Sequence, residues 1–249
     1  MRVAVIIPTL DDDASLQRLL TQLARLDPPP DEVIVVDGAA SESCEAVCRG
    51  AGARWLPAHP SRGGQLALGA ARAPADVLWF LHTECEPHPA AVAAIRGSIE
   101  RGAIGGYFRF RFGGPRTRTK RFLERCIGWR CRWGMVYGDQ GLYVTRAAYD
   151  ATPGFTVQPL FEEVALVRAL KRTGRFVALD LPITVSTRRW ERDGWLRRTL
   201  TNRTLALAFG CGVSPARLAR WFGGRLRPAP ARHGGRGRSR SGGHEAHRG

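Results

Sequence analysis

The fold turns on residues 2–37, RVAVIIPTLDDDASLQRLLTQLARLDPPPDEVIVVD. RVAVIIP is a short apolar run rich in β-branched residues and closed by Pro8, which predicts a buried strand. After three aspartates, Leu16, Leu19, Leu20, Leu23 and Leu26 recur at helical spacing, with Asp or Ser available to cap the first turn. DPPP breaks that helix and EVIVVDG supplies a second apolar run. A strand–helix–strand unit whose strands are apolar throughout belongs to a parallel sheet covered on both faces.

Working outward, SESCEAVCRGAG reads as a shorter helix, ARWLPA as a short strand, RGGQLALGAARA as a helix with a glycine-rich start, and DVLWFLH as a further strand. The pattern then changes. GGYFRFRFGG sets Tyr107, Arg109 and Arg111 against Phe108, Phe110 and Phe112, the alternation of a half-exposed strand, expected to be antiparallel. A basic helical stretch follows over residues 117–132, and YGDQGLYVTRAAYDATPGF reads as a turn, a strand and a short helix. PLFEEVALVRALKRTGR is an amphipathic helix stopped by Gly174, FVALDLPITVST supplies one or two late strands, and helices are expected around 195–209 and 215–222. The organisation predicted is one domain over residues 1–224, with parts 1–100, 101–192 and 193–224, and a basic Gly/Arg/Ser-rich tail over 225–249 that is expected to be disordered.

The chain has 249 residues and a net charge of +16, which invites a nucleic-acid reading. The final 25 residues hold seven Arg and one Glu, however, and only Lys120 and Lys171 are lysines, a skew that base composition alone produces. No specific nucleic acid is expected; the basic body favours nucleotide diphosphates or an anionic membrane surface. No apolar run is long enough to span a bilayer and the N-terminus has no secretion-signal pattern, so the expectation is a cytoplasmic chain, peripheral at most to the inner face of the cell membrane. Six cysteines without a CxxC pair read as reduced, buried small hydrophobes.

In a parallel sheet the carboxyl ends of the strands converge on one edge, which brings Asp11, Asp12, Asp37, His82 and Glu84 to one crevice. Carboxylates there suit a divalent cation holding a diphosphate, and hydrogen bonds to a base and ribose; for each acid alone the competing role is a helix N-cap.

Taken in order, VIIPTLDDDASLQRLL, EVIVVDGAASES, RGGQLALGAARAPADVLWFLHTE and PLFEEVAL resemble successive motifs of the family-2 glycosyltransferases. The match is to a bacterial subgroup in particular, the radical-SAM/selenodomain-associated transferases 2, or arsenosugar-biosynthesis glycosyltransferases, and it runs from about residue 2 to residue 222. The resemblance implies a GT-A fold: an α/β domain with a mostly parallel Rossmann-like sheet flanked by helices, an antiparallel acceptor-side portion and C-terminal helices. It implies inverting transfer of a sugar from a nucleotide-diphosphate sugar, UDP-linked, to a hydroxyl on a small-molecule or lipid acceptor, with Mg²⁺ or Mn²⁺. Residues 1–100 then bind the donor, and 101–192 carry the acceptor and catalytic groups.

Carried over by position, the resemblance puts Pro8, Thr9 and Asp12 in the uridine cradle, Asp37 on the base edge, and Arg62 and Gln65 beside base and ribose. HTE stands where the family has its DxD metal motif, His82 replacing the first acid and Glu84 the second. His82 can ligate metal, bond a phosphate, or simply be a structural strand-end histidine. FEEV is similar to the ED motif, with Glu163 as the base and Glu162 as its acidic neighbour. Asp139 and Gln140 of YGDQG are expected to bind acceptor hydroxyls. STRRW is similar to QxxRW: Arg189 can neutralise diphosphate and Trp190 can stack on sugar or acceptor, or Arg188 and Arg189 are a solvated basic patch. The rivals are a nucleotide-binding but catalytically degenerate relative and a basic nucleic-acid-binding protein, and the second leaves the strand-end acids unexplained.

Overall fold

The computed structural model describes residues 1–132 and 135–226; the tail expected from residue 225 falls outside the described residues from 227 onward. β1 (Val3–Thr9), α1 (Asp13–Leu23), β2 (Glu32–Asp37), α2 (Glu42–Gly50), β3 (Arg54–Pro57), α3 (Arg62–Arg72) and β4 (Val77–Phe80) alternate as their apolar periods predict. A two-residue strand β5 (Cys85–Glu86) and helix α4 (Ala91–Glu100) come next. Then follow β6 (Gly105–Phe112), α5 (Arg118–Arg132), a 3₁₀ turn at Gly138–Gln140, β7 (Tyr143–Thr145), α6 (Arg146–Asp150), α7 (Val164–Thr173) and β8 (Phe176–Val185). Three helices close the described chain: α8 (Arg188–Asp193), α9 (Trp195–Gly210) and α10 (Pro215–Leu226).

All eight strands form one sheet in the order β3-β2-β1-β4-β7-β6-β8-β5. β1 is buried along its whole length because β2 and β4 flank it in parallel and helices cover both faces. Val3, Val5 and Ile7 point to the layer holding Leu16, Leu19, Leu23, Cys44 and Ile95, whereas Ala4 and Ile6 point to the layer holding Leu66, Ala70, Leu166 and Leu170. The two-residue period of a strand distributes one apolar run between two cores. α3 lies directly on β1, since Gly69 has no Cβ to strike Ile6. Among the cysteines, Cys44, Cys48, Cys85 and Cys131 are buried, Cys126 is half-buried, Cys211 is exposed, and all six are free thiols.

The strand sense differs from the sequence expectation on the far side of the sheet. β6 does alternate, with Arg109 and Arg111 exposed and Phe108, Phe110 and Phe112 buried, but its long partner is β8, in parallel. Only β7 and the stub β5 run against their neighbours. Because β4 and β6 both pair antiparallel with β7, β6 points the same way as β4, and the carboxyl ends of six strands share one edge. Alternation reports a half-exposed strand but not its direction. β8 is one strand rather than two, and Pro182 pairs with Arg109 next to a register shift between Phe108 and Arg109, an irregularity of the kind where a strand tolerates proline.

Candidate active site

The carboxyl edge of the sheet collects polar groups that the fold leaves unevenly satisfied. Asp12 occupies the N-cap position of α1 but makes no cap bond; its Oδ2 accepts instead from Thr83 Oγ1 at 3.1 Å, tying the loop after β1 to the loop after β4. Asp11 beside it is held at φ 52°, a strained backbone for a non-glycine residue. Pro8 lies in β1 opposite Val36, and Thr9 next to it is buried with its hydroxyl unpartnered.

Two residues expected to touch the nucleotide are turned inward. Asp37 accepts from the backbone N–H groups of Ala39 at 2.9 Å and Ser41 at 2.8 Å, and from Ser41 Oγ and Trp55 Nε1. Its carboxylate closes the 37–41 loop, where Ala40 sits at φ 50°. Gln65 is buried and spends both amide hydrogens on the carbonyls of Thr9 and Val36, at 2.8 and 2.7 Å, stapling the ends of β1 and β2. The expectation that Gln65 contacts base or ribose is therefore corrected: an amide donor at the start of α3 finds two buried carbonyls before it finds solvent.

The loop after β4 is positioned by β5. Cys85 pairs with Val185 and Ser186 N–H donates to the Glu84 carbonyl, so the HTE loop and the STRR loop lie side by side. Arg189 Nε then reaches Glu84 Oε1 at 3.2 Å. His82 packs its ring on Gly138, where a side chain would clash, since a Cβ there would stand 2.5 Å from Nε2. Burial, reinforced by the positive charges of Arg62 and Arg189, lowers the His82 pKa to about 3, so the imidazole is neutral near pH 7, with one ring nitrogen as an N–H donor and the other free to accept or ligate.

The second acidic site is the pair before α7. Glu162 and Glu163 are both buried, yet they differ in partners. Glu162 is held by Arg62 through two hydrogen bonds, from Nε and, at 3.1 Å, from Nη2. Among the described residues, Glu163 Oε1 accepts from Gly138 N–H at 3.2 Å and Oε2 is buried without a hydrogen-bond partner. Burial, with the adjacent negative charge of Glu162 behind it, raises the Glu163 pKa to about 7 against the opposing pull of Arg62. Phe161, at φ 61°, sets up this divergence by turning the backbone just before the pair. Gly63 lets α3 approach, since a Cβ on it would overlap the Thr156 carbonyl and crowd Glu162.

Asp139, in the 3₁₀ turn beside Gly138, has a buried, unpartnered Oδ1, and burial raises its pKa despite Arg130, Arg62 and Arg189. Its neighbour Gln140 points the other way. Gln140 is buried and accepts from Cys131 Sγ at 3.1 Å and Tyr137 N–H at 3.3 Å, so the expectation that it meets acceptor hydroxyls is corrected. Trp190 packs edge-on against Phe112 at 5.0 Å and beside Trp195 and stays half-buried. Three residues here carried no separate sequence signal: Arg130, whose guanidinium lies 4.0 Å over the Tyr137 ring, Tyr137 itself, and Phe161.

Among the described residues no group of three or more His, Cys, Asp and Glu side chains converges as a metal cage. The set at the edge, one carboxylate (Glu84) with a neutral imidazole (His82), nonetheless fits a hard cation whose remaining ligands are substrate phosphates and water.

Solved structures share this architecture. A structure described as a mycobacterial protein aligns with a TM-score of 0.53 at 22% identity, covering 74% of this chain; the chain spans 65% of that protein's length. Glucosyl-3-phosphoglycerate synthase from Mycobacterium tuberculosis, in complex with phosphoglyceric acid, aligns with a TM-score of 0.59 at 19% identity over 86% of this chain and 81% of its own. The same synthase with Mn²⁺, uridine diphosphate and glucosyl-3-phosphoglycerate aligns equally well, at TM-score 0.59 and 19% identity with the same coverage. No curated protein sequence matches the chain. The model of Glycosyl transferase family 2 matches residues 4–155, from the first strand through the 3₁₀ turn and α6, and with that match the chain belongs to Glycosyl transferase family 2.

Proposed function

We propose that the chain is an inverting glycosyltransferase that moves a sugar from a nucleotide-diphosphate donor, UDP-linked, to a hydroxyl-bearing acceptor that is a small molecule or a lipid. The observation that carries the reading is Glu163, a buried carboxyl poised near pH 7 with one oxygen free, at the same sheet edge as Asp12, His82 and Glu84. A general base works best when its pKa is near the working pH, and burial is what brings a glutamate there. The synthase structures holding UDP and Mn²⁺ on a similar fold support the donor class.

In this reading Glu163 Oε2 takes the proton of the acceptor hydroxyl as that oxygen attacks the anomeric carbon. Asp139, with its own buried free oxygen, holds the acceptor, and Arg62 fixes Glu162 so that only one of the two acids is available. Pro8 and Thr9 line the base and Asp12 the ribose, with Asp37 acting through the loop that it closes. Arg189 balances charge on the diphosphate. A divalent cation, Mg²⁺ or Mn²⁺, would be held by Glu84 and His82 and would supply further neutralisation of the leaving diphosphate. Membership of the arsenosugar-biosynthesis subgroup belongs to the same proposal and rests on motif spelling alone.

The test is a donor panel measuring nucleotide diphosphate release with Mg²⁺ or Mn²⁺ and no acceptor, because slow hydrolysis identifies the donor. The Glu84–Arg189 ion pair favours one second reading, a nucleotide-binding relative without turnover. Binding of UDP with no release from any donor would select it.

A further inference from the structure

α9 is apolar on two sides, and among the described residues only one side is covered. Leu205 is buried against the body, while Leu196, Leu200 and Leu207 form a row at positions i, i+4 and i+11, each more than half exposed, with exposed Arg203 in the same row. The solvent face of α5 has the same mixture: Phe122 and Trp129, each more than 60% exposed, alternate with exposed Arg118, Arg121, Arg125 and Arg132.

Ring contacts connect the two helices at both ends. At their amino ends Lys120 Nζ sits 5.6 Å over the Trp195 ring. At their carboxyl ends Arg130 covers Tyr137, which meets Phe161, which stacks at 4.4 Å on Phe209 of α9. α10 packs on α9 and adds exposed Trp221 and Arg220.

Charge selects the occupant. The single acid of α5, Glu124, is committed to Arg116 at 2.7 Å and to the Phe112 N–H. No acidic residue occurs between Asp193 and Glu245. A second copy docking here would bring arginine against arginine. Exposed Leu, Phe and Trp interleaved with unopposed Arg match the headgroup layer of an anionic bilayer, which takes apolar side chains at shallow depth and guanidinium groups at the phosphates. No helix among the described residues is long and apolar enough to cross a membrane, so the face would lie on the bilayer. We infer that α5 and α9, with α10, form a docking face for an anionic membrane surface. Phe161, two residues before Glu163, joins the two helices, so the docked face holds the candidate active site close to the headgroups.

Flotation of the full chain with vesicles tests this without any donor, so the result is separate from the proposed chemistry. Equimolar phosphatidylcholine and phosphatidylglycerol vesicles are expected to bind the chain, and pure phosphatidylcholine vesicles to bind it at least about tenfold more weakly. Leu196→Gln/Leu200→Gln/Leu207→Gln, all at exposed positions, is expected to weaken binding to the anionic vesicles about tenfold with melting temperature unchanged. Arg121→Gln/Arg125→Gln is expected to weaken it about fivefold per arginine, an independent variant should the leucine set misfold. Equal binding to both vesicle types overturns the inference. So does full binding by both variant sets, which would place the interaction in the basic segment beyond residue 226, and so does sedimentation showing a dimer that the leucine variant dissociates.

Discussion

Glu162 and Glu163 are the same residue in adjacent positions, both buried, and the physics separates them by what each meets. Arg62 compensates Glu162 with two charge-assisted hydrogen bonds, whereas Glu163 has one backbone donor and a like charge beside it. Glu163→Gln is expected to leave the donor dissociation constant nearly intact and to lower turnover by about 10²–10⁴-fold, the range for a lost general base. Single-turnover transfer beside donor titration decides it, and full turnover in the variant would remove Glu163 from the chemistry. Since the base must be ionised, kcat/KM should rise with pH through about 7. The same shift has a stability consequence of opposite sign. A carboxyl whose folded pKa is raised holds its proton more tightly in the native state, so its contribution is fully present below the unfolded value near 4.5 and is lost as pH climbs through about 7. Glu163→Gln should therefore stabilise the protein at pH 8, by about 1–3 kcal/mol, and do nothing at pH 4, as read by chemical denaturation at both. Asp37 is the contrasting acid. Asp37→Ala orphans the Ala39 and Ser41 N–H groups and should cost about 1–3 kcal/mol of stability along with nucleotide affinity. Weaker binding with unchanged stability would restore Asp37 as a direct reader of the base.

Elements bring these residues together through a few close approaches, and the glycine-rich start of α3 separates two kinds. A Cβ at Gly63 would overlap the Thr156 carbonyl, which no side-chain movement relieves, whereas a Cβ at Gly64 would meet Ser61 Oγ, the N-cap acceptor of the Gly64 N–H, at 3.2 Å, a contact eased by a shift of a few tenths of an ångström. Gly63→Ala should cost about 1–3 kcal/mol and lower turnover by displacing the 156–163 segment that carries Glu163; Gly64→Ala should change either by little. Equal effects in thermal denaturation and turnover would mean that the α3 approach does not set the base. The legibility of the chain follows the same division. β1 to β4 and their helices could be read because a buried parallel strand has an apolar run and an amphipathic helix has its period, both local. The two residues of β5 have no pattern to read, yet they set Glu84 against Arg189. The direction of β6 depends on β7 and β8 lying beside it, which no alternation encodes. Candidate site positions were legible as motif places, but which way Gln65, Gln140 and Trp190 turn was not, because each meets a partner from another element, and the packing of one element on another is not a local pattern.

At the scale of the whole molecule, the described sheet edge keeps several buried polar atoms without partners: Thr9 Oγ1, Asp139 Oδ1 and Glu163 Oε2, from three separate segments. Buried polar atoms are nearly always paired in folded proteins, and a ligand bound at this edge would have these three to pair with, although unpartnered atoms such as Gln22 Oε1 and Arg96 Nε also occur elsewhere in the described residues. Ligand binding must then raise stability by mass action, since the unfolded chain has no such edge. Uridine diphosphate with Mn²⁺ at about 100 times its dissociation constant is expected to add about 2.7 kcal/mol, which for a domain of this size raises the melting temperature by roughly 5–10 °C. If Glu84 and His82 share the cation with the diphosphate, a chelator should remove most of the nucleotide's shift, and Glu84→Gln should make the remaining shift indifferent to Mn²⁺. Glu84→Gln also releases Arg189, now 3.2 Å from the carboxylate, to meet the diphosphate directly. The variant should therefore keep part of its nucleotide affinity while losing its metal response, a split that simple misfolding cannot produce. A full shift from nucleotide in the presence of chelator, in the parent protein, would show that arginine rather than a cation carries the diphosphate at this edge.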